Sequence, residues 1–202
     1  MYKKRKILAG VIVVLMLAVF ALGFFLYLSR QNSASVPEET IVSKVDEVLL
    51  RDLTRNYPPS PKEVVRYYSE ITTCFYEENL TEDELKKLAL KARELYDAEL
   101  LASQTEEEYM EDLKKDILDF NAMGIVVSGY SLSASTDVEF FTQDGYSFAR
   151  LYADYRLRQG TEYLYSNEVF LLRKDEEGHW KIYGWALAEK SDINEAEDVS
   201  GN

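Results

Sequence analysis

Between Ile7 and Leu28 the chain runs for 22 residues without a charged side chain, ILAGVIVVLMLAVFALGFFLYL, and this run limits what the rest can be. A helix of that length spans about 33 Å at about 1.5 Å per residue, enough for a hydrocarbon core of about 30 Å. Lys3, Lys4, Arg5 and Lys6 precede it, and Arg30 is the one basic residue just after it. The positive-inside rule therefore predicts a cytoplasmic tail at residues 1–6, a transmembrane anchor at 7–28 and everything later outside the cell. A cleavable signal peptide competes, because Ser33-Ala34-Ser35 offers small residues for cutting, but the run exceeds the roughly 7–15 residues of a signal core. No cysteine closely follows the run, which excludes a lipoprotein. Gly10 and Gly23 are too far apart for a small-xxx-small pairing motif, and no charge, Asn or Gln interrupts the span, so the helix reads as a tether.

The charge divides sharply at this boundary. Five of the 23 basic residues and none of the 36 acidic ones lie in residues 1–30, which leaves 18 against 36, or −18, beyond them. Such a balance excludes nucleic acid, whose phosphates need clustered Lys and Arg, and holds the domain away from anionic lipid. Cys74 is the only cysteine, so no internal disulfide and no cysteine-rich metal cluster can form.

Residues 29–40 are polar and unpatterned and read as a linker to a domain over 41–190. Ile41, Val45, Val48, Leu49 and Leu53 fall at helical spacing, up to the stop at Asn56-Tyr57-Pro58-Pro59. Three capping boxes then open three helices: Ser60 with Glu63, Thr81 with Glu84 and Thr105 with Glu108. Pro61 suits N1, Leu80 and Leu85 suit a hydrophobic staple, and Gly124 suits a C-terminal cap. Their apolar faces are Val64, Val65, Tyr68, Ile71 and Phe75; then Leu85, Leu88, Ala92, Leu95 and Tyr96; then Tyr109, Leu113, Ile117 and Phe120.

After Gly124 the period changes to two, with strands expected at 125–133, 137–142, 146–158, 161–174 and 179–189. In the third, Ala149, Leu151, Ala153, Tyr155 and Leu157 share one face, and Phe148, Arg150, Tyr152, Asp154, Arg156 and Arg158 the other. The apolar parity shifts from Trp180 and Ile182 to Trp185 and Leu187 around Gly184, which predicts a bulge. Residues 191–202 read as an acidic flexible tail. The fold class is α+β: an N-terminal transmembrane helix, then about four helices on one face of a curved, mostly antiparallel sheet of about five strands.

That element order, ending in His179-Trp180-Lys181-Ile182-Tyr183-Gly184-Trp185, resembles the nuclear transport factor 2-like (cystatin-like cone) superfamily over roughly residues 41–190. The resemblance implies a curved sheet wrapped around its N-terminal helices, although the helices here are consecutive where a strand usually intervenes. The chain also looks like small single-pass exported proteins of Gram-positive bacteria with no assigned function. Enzymes of the cone fold use Asp, Tyr and Arg inside the cone, and Tyr152, Asp154 and Arg156 supply those types, but on the face opposite the helices.

His179 follows a turn and has no base-tuning partner in view, and Cys74 has no base. Asp175-Glu176-Glu177-Gly178 is too short for an EF-hand loop, and no phosphate-binding or nucleophile-elbow motif occurs. No catalytic, cofactor-binding or metal-binding residue is therefore assigned, and no cofactor is expected.

Tyr and Arg favour interfaces, so Phe148, Tyr152 and Arg156 on the outer sheet face are expected to dock a protein partner or a second copy in a weak homodimer. The expected role is a non-enzymatic, membrane-anchored extracytoplasmic domain for interaction or ligand sensing. The alternatives are an accessory bitopic subunit of an envelope or type IV secretion-like assembly, and a small-molecule enzyme of the cone fold.

Overall fold

The computed structural model describes residues 43–76 and 80–188, which belong to one compact unit beginning at Ser43. The expected anchor at 7–28, the linker at 29–40 and the acidic tail lie outside the described residues. Among the described residues no helix is long and apolar enough to cross a membrane.

Among the described residues five α-helices precede five strands: α1 (Lys44–Leu50), α2 (Pro61–Phe75), α3 (Glu82–Arg93), α4 (Ala98–Ser103), α5 (Glu106–Met123), β1 (Ile125–Leu132), β2 (Glu139–Gln143), β3 (Tyr146–Gln159), β4 (Glu162–Lys174) and β5 (Trp180–Leu187). Thr81 and Thr105 form complete capping boxes, each hydroxyl accepting from the N3 amide while the Glu84 or Glu108 carboxylate accepts from the cap amide. Ser60 makes only half of one. It accepts from the Glu63 amide, but the Glu63 carboxylate turns to Arg66 at 2.6 Å instead. α5 stops at Gly124, whose φ of 65° is the left-handed conformation glycine adopts without a Cβ clash. α1 is shorter than its periodicity suggests and ends at Leu50, leaving Leu53 buried in the turn that follows.

All strand pairs are antiparallel, in the order β1-β3-β4-β5, and β2 also pairs with β3. β1 lies along the second half of β3 and β2 along the first half, so the two are in-line pieces of one edge, broken by a 3₁₀ turn at Ser135–Asp137. β2 turns into β3 through Asp144 (φ 52°) and Gly145 (φ 83°), the paired positive φ that suits a two-residue hairpin.

The bulge expected near Gly184 is present. Leu171 pairs with Gly184 but Leu172 with Ile182, so Tyr183 is the extra residue. A second bulge, with Ser128 extra, bends β1. Both curve the sheet about the helices.

The core lies between α2 and the concave sheet face. Val64, Val65, Ile71 and Cys74 of α2 are fully buried, as are Ala149, Leu151, Ala153, Phe170, Leu172 and Ile182, with Leu88 and Ala92 of α3 closing one side. Tyr67 donates its hydroxyl to the Val48 carbonyl at 2.7 Å, pinning α1 to α2.

Two features depart from expectation. The third predicted helix ends at Arg93, so Leu95 and Tyr96 are not helical: Leu95, Tyr96 and Asp97 run alongside β5 as a single parallel bridge. The Ile182 amide donates to Leu95 O and the Asp97 amide to Ile182 O, each at 2.8 Å. The short helix α4, without a fully buried face, was hidden by its length. Asp97 caps it through the Glu99 amide at 2.9 Å and also receives both arms of Arg173, Nε at 3.0 Å and Nη2 at 2.5 Å. The carboxylate and the guanidinium side chains are 5% and 12% exposed, so both charges are largely withdrawn from water.

Asp97→Ala is therefore expected to lower unfolding stability by about 1–3 kcal/mol in urea titration, since it leaves the Arg173 guanidinium with the exposed Glu99 carboxylate as its remaining ion-pair partner. Arg55→Ala, which breaks only the exposed pair with Asp52, is expected to change it by less than about 1 kcal/mol. Equal costs for the two variants would show that the Asp97 pair is not structural.

Candidate functional site

The helices do not fill the concave face. A cavity of about 420 Å³ remains between the sheet, the later turns of α2, the end of α3, α4 and α5. That is within the range of roughly 300–1,000 Å³ for small-molecule sites. Its walls are largely aromatic: Tyr68 and Tyr76 from α2, Tyr109 and Phe120 from α5, and Tyr155 and Trp185 from the sheet. The extra residue Tyr183 makes this possible, because it shifts the parity of β5 and turns Trp185 onto the concave face opposite Phe170. Trp185 then lies 5.4 Å from the Tyr68 ring and 5.7 Å from that of Tyr96, and keeps 40% of its surface open at the mouth.

The tyrosine hydroxyls are bound to one another rather than to the backbone. The Tyr96 hydroxyl lies 3.4 Å from those of Tyr68 and Tyr109, and with one proton it donates to one of them at a time. Tyr155 shares a 2.8 Å hydrogen bond with Ser69 of α2. Burial raises the ionisation of Tyr68, Tyr96, Tyr109 and Tyr155 above the ordinary phenol range and pushes that of Tyr76 up to about 12. The ring of hydroxyls is neutral at any physiological pH.

One carboxyl faces into this wall. Glu168 of β4 pairs with Ala153 on one side and Leu187 on the other, in the inward row that continues to Phe170 and Leu172. It is half-buried and makes no hydrogen bond or ion pair with another described residue. Burial alone pushes its carboxyl up to about 7, close to half-ionised at neutral pH. Asp112 and Asp116 line the α5 side. The one guanidinium there, Arg93, is occupied: it donates to Gln104 O at 3.2 Å and lies over the Tyr109 ring.

The residues weighed from sequence lie elsewhere. Asp154 and Arg156 are exposed on the convex face, away from the cavity, and Arg156 Nε donates to Ser128 Oγ at 3.2 Å. Phe148 shares their parity but is not open: stacked on Phe141 at 5.5 Å and edge-on to Tyr183, it is 9% exposed. Tyr152 is half-buried, so of the three residues expected to dock a partner Arg156 alone is exposed.

His179 stacks on Tyr57 at the start of β5, with Glu177 at 3.5 Å, and Cys74 is sealed inside α2's core face. Among the described residues no group of His, Cys, Asp and Glu could hold a metal ion. Glu168 was not singled out from sequence, although a signal was present: counting inward positions back from Leu172 and Phe170 arrives at it.

An ionised Glu168 costs folding energy. Its folded-state ionisation at about 7 lies above the ordinary 4.5, so the native state binds this proton more tightly and loses stability as pH rises through that window. Glu168→Gln removes the penalty. The variant is expected to match the parent near pH 4.5 and to exceed it by about 1–3 kcal/mol at pH 8 in denaturant titrations. A pH-independent difference would mean the carboxyl is not desolvated.

A family model described as a domain of unknown function (DUF6715) matches residues 1–185. No curated protein matches the chain.

Proposed function

The chain belongs to that family, DUF6715, and from its own residues we propose that it is a non-enzymatic, membrane-anchored extracytoplasmic domain that senses a small ligand in the cavity beneath Trp185. The observation that carries this reading is the cavity itself. Where helices would ordinarily pack closely on the sheet, aromatic residues here line a partly open volume that Glu168 borders from the sheet and Asp112 and Asp116 border from α5. The matched segment takes in the uncharged run at 7–28 together with the folded unit, in keeping with a tethered receptor. The cone-like plan proposed from the terminal hairpin gains a counterpart for its missing strand in the Leu95–Asp97 segment, which bridges to β5 between helices.

A second reading, a small enzyme of the cone fold, is favoured by one observation. A carboxyl ionising at about 7 is suited to general-base work near neutral pH. Against it stands the company Glu168 keeps. Tyr76 and Tyr155 face it as neutral hydroxyls, and the other carboxylates of the lining, Asp112 and Asp116, stand on α5 with no Ser, Cys or His nucleophile beside Glu168.

An NMR screen of a fragment library on the full chain tests the reading. Bound fragments are expected to shift the signals of Tyr155, Glu168 and Trp185 and to leave the chain unaltered. Ser103→Trp, which plugs the rim of the cavity from an exposed position, is expected to abolish those shifts at little cost in folding. Fragments that bind equally well to the plugged variant would overturn the cavity as the site, and fragments converted to products would give the role to the enzyme reading.

A further inference from the structure

If the cavity is a ligand site, as proposed above, its chemistry also selects the ligand: we infer that it takes an organic cation, an amine carried on an apolar body. Three features of the wall agree on this. Aromatic rings line the cavity, with Trp185 at the mouth against the buried Tyr68 and Tyr96, and Tyr76 against Phe120 at 4.6 Å. Such faces carry negative potential and attract ammonium groups while accepting hydrocarbon equally well. Asp112, Asp116 and Glu168 outnumber the single Arg93, whose guanidinium already has the Gln104 carbonyl and the Tyr109 ring. Glu168 has no partner of its own among the described residues, and a carboxylate in a partly desolvated place is satisfied best by a cation brought to it.

The competing ligand classes are disfavoured by the same wall. An anion would meet an excess of carboxylates at short range with no free guanidinium to receive it. A neutral apolar molecule would fit the aromatic surface but would leave the Glu168 carboxyl without a partner, so it gives up the interaction that the cavity is built to make.

Proton linkage provides a signature that packing alone would not. Tyr155 of β3 and Tyr76 of α2 face Glu168 as hydroxyls that burial keeps neutral, Asp112 and Asp116 face it from α5, and Arg93 completes the charged lining from the end of α3. The chain's one histidine, His179, lies on the far turn between β4 and β5, outside this lining. A cation bound beside Glu168 favours its ionised form, so binding near neutral pH releases a proton and affinity rises with pH across the carboxyl's titration.

The test uses three probes with one body and different heads: phenylbutylamine, phenylbutanol and phenylbutyrate. Titrated calorimetrically against the full chain, the amine is expected to bind tightest and the carboxylate weakest. Amine affinity is expected to rise about tenfold from pH 6 to pH 8, while that of the alcohol stays level. Glu168→Gln is expected to reduce the preference for the amine and to abolish its pH dependence while the alcohol still binds, which shows that the variant's cavity is intact. Equal binding of all three probes, or a lead for the carboxylate, would overturn the cation and leave the cavity standing. Failure of all three to bind would overturn the ligand cavity and the cation with it.

Discussion

The fold turns on one buried ion pair, Asp97 with Arg173, residues far apart in the chain that meet where the Leu95–Asp97 segment bridges to β5. The helix layer must leave the concave face after α3 and return as α5. Asp97 sits where the chain makes that detour. Its amide donates to Ile182 O, one carboxylate oxygen accepts from the Glu99 amide to cap α4, and the whole carboxylate receives Arg173 in a fork. The guanidinium is itself held 4.8 Å from each of the Tyr146 and Tyr183 rings and reaches Glu99 with its third nitrogen at 2.7 Å. A pair of this kind adds little net stability over a hydrocarbon replacement. What it fixes is geometry, because either charge left alone would be costly. The geometry it fixes is the position of Tyr96, one residue before Asp97, directly against Trp185.

From that position the open volume follows. With the chain pinned at the β5 edge, α4 and α5 come back at a distance from α2, and only Leu113 of α5 is buried. The gap is closed by rings rather than aliphatic side chains, and their hydroxyls need partners. The Tyr68–Tyr96–Tyr109 contacts and the Tyr155–Ser69 bond supply them, so the wall is polar at its tips without leaving an unsatisfied buried atom among the described residues. Small Ala153, opposite Glu168 in the register, leaves room beside the carboxyl. Glu168 is the exception to this economy. A Leu or Gln there would suit the fold better, and a position where local stability is sacrificed without structural return is where function is to be sought.

Much of this was legible in the sequence, and the limits follow from range. The capping hydroxyls at Thr81 and Thr105, the left-handed Gly124 and the alternation in β3 are local rules, and the structure obeys them. The parity break that gives the Tyr183 bulge was visible within six residues. Ser60 shows where a local rule fails, since Arg66, one turn on, offers Glu63 a charged partner that the cap amide cannot match. Leu95 and Tyr96 were misread as helical because their spacing continues that of Leu88 and Ala92, while the force that pulls them out is a pairing with Ile182, far along the chain. Phe148 has outward parity, yet β2 and the bulged Tyr183 fold over it, which alternation within β3 cannot foresee.

The same distinction between near and far governs the electrostatics of the cavity. Residues 31–202 carry −18 in total, and it is tempting to attribute a taste for cations to that figure alone. At physiological ionic strength charges more than about 8 Å apart on the surface are largely screened, so acidic side chains on the outer faces of α3 and α5 contribute encounter rate rather than selectivity. Selectivity belongs to groups that water cannot reach freely, which here means Glu168 and the aromatic faces around it. A half-ionised carboxyl in that setting is in balance between two costs, giving up its proton without a counter-charge or keeping it against neutral solvent. A bound cation settles the balance by supplying the counter-charge, and the same desolvation that destabilises the empty domain then strengthens the contact.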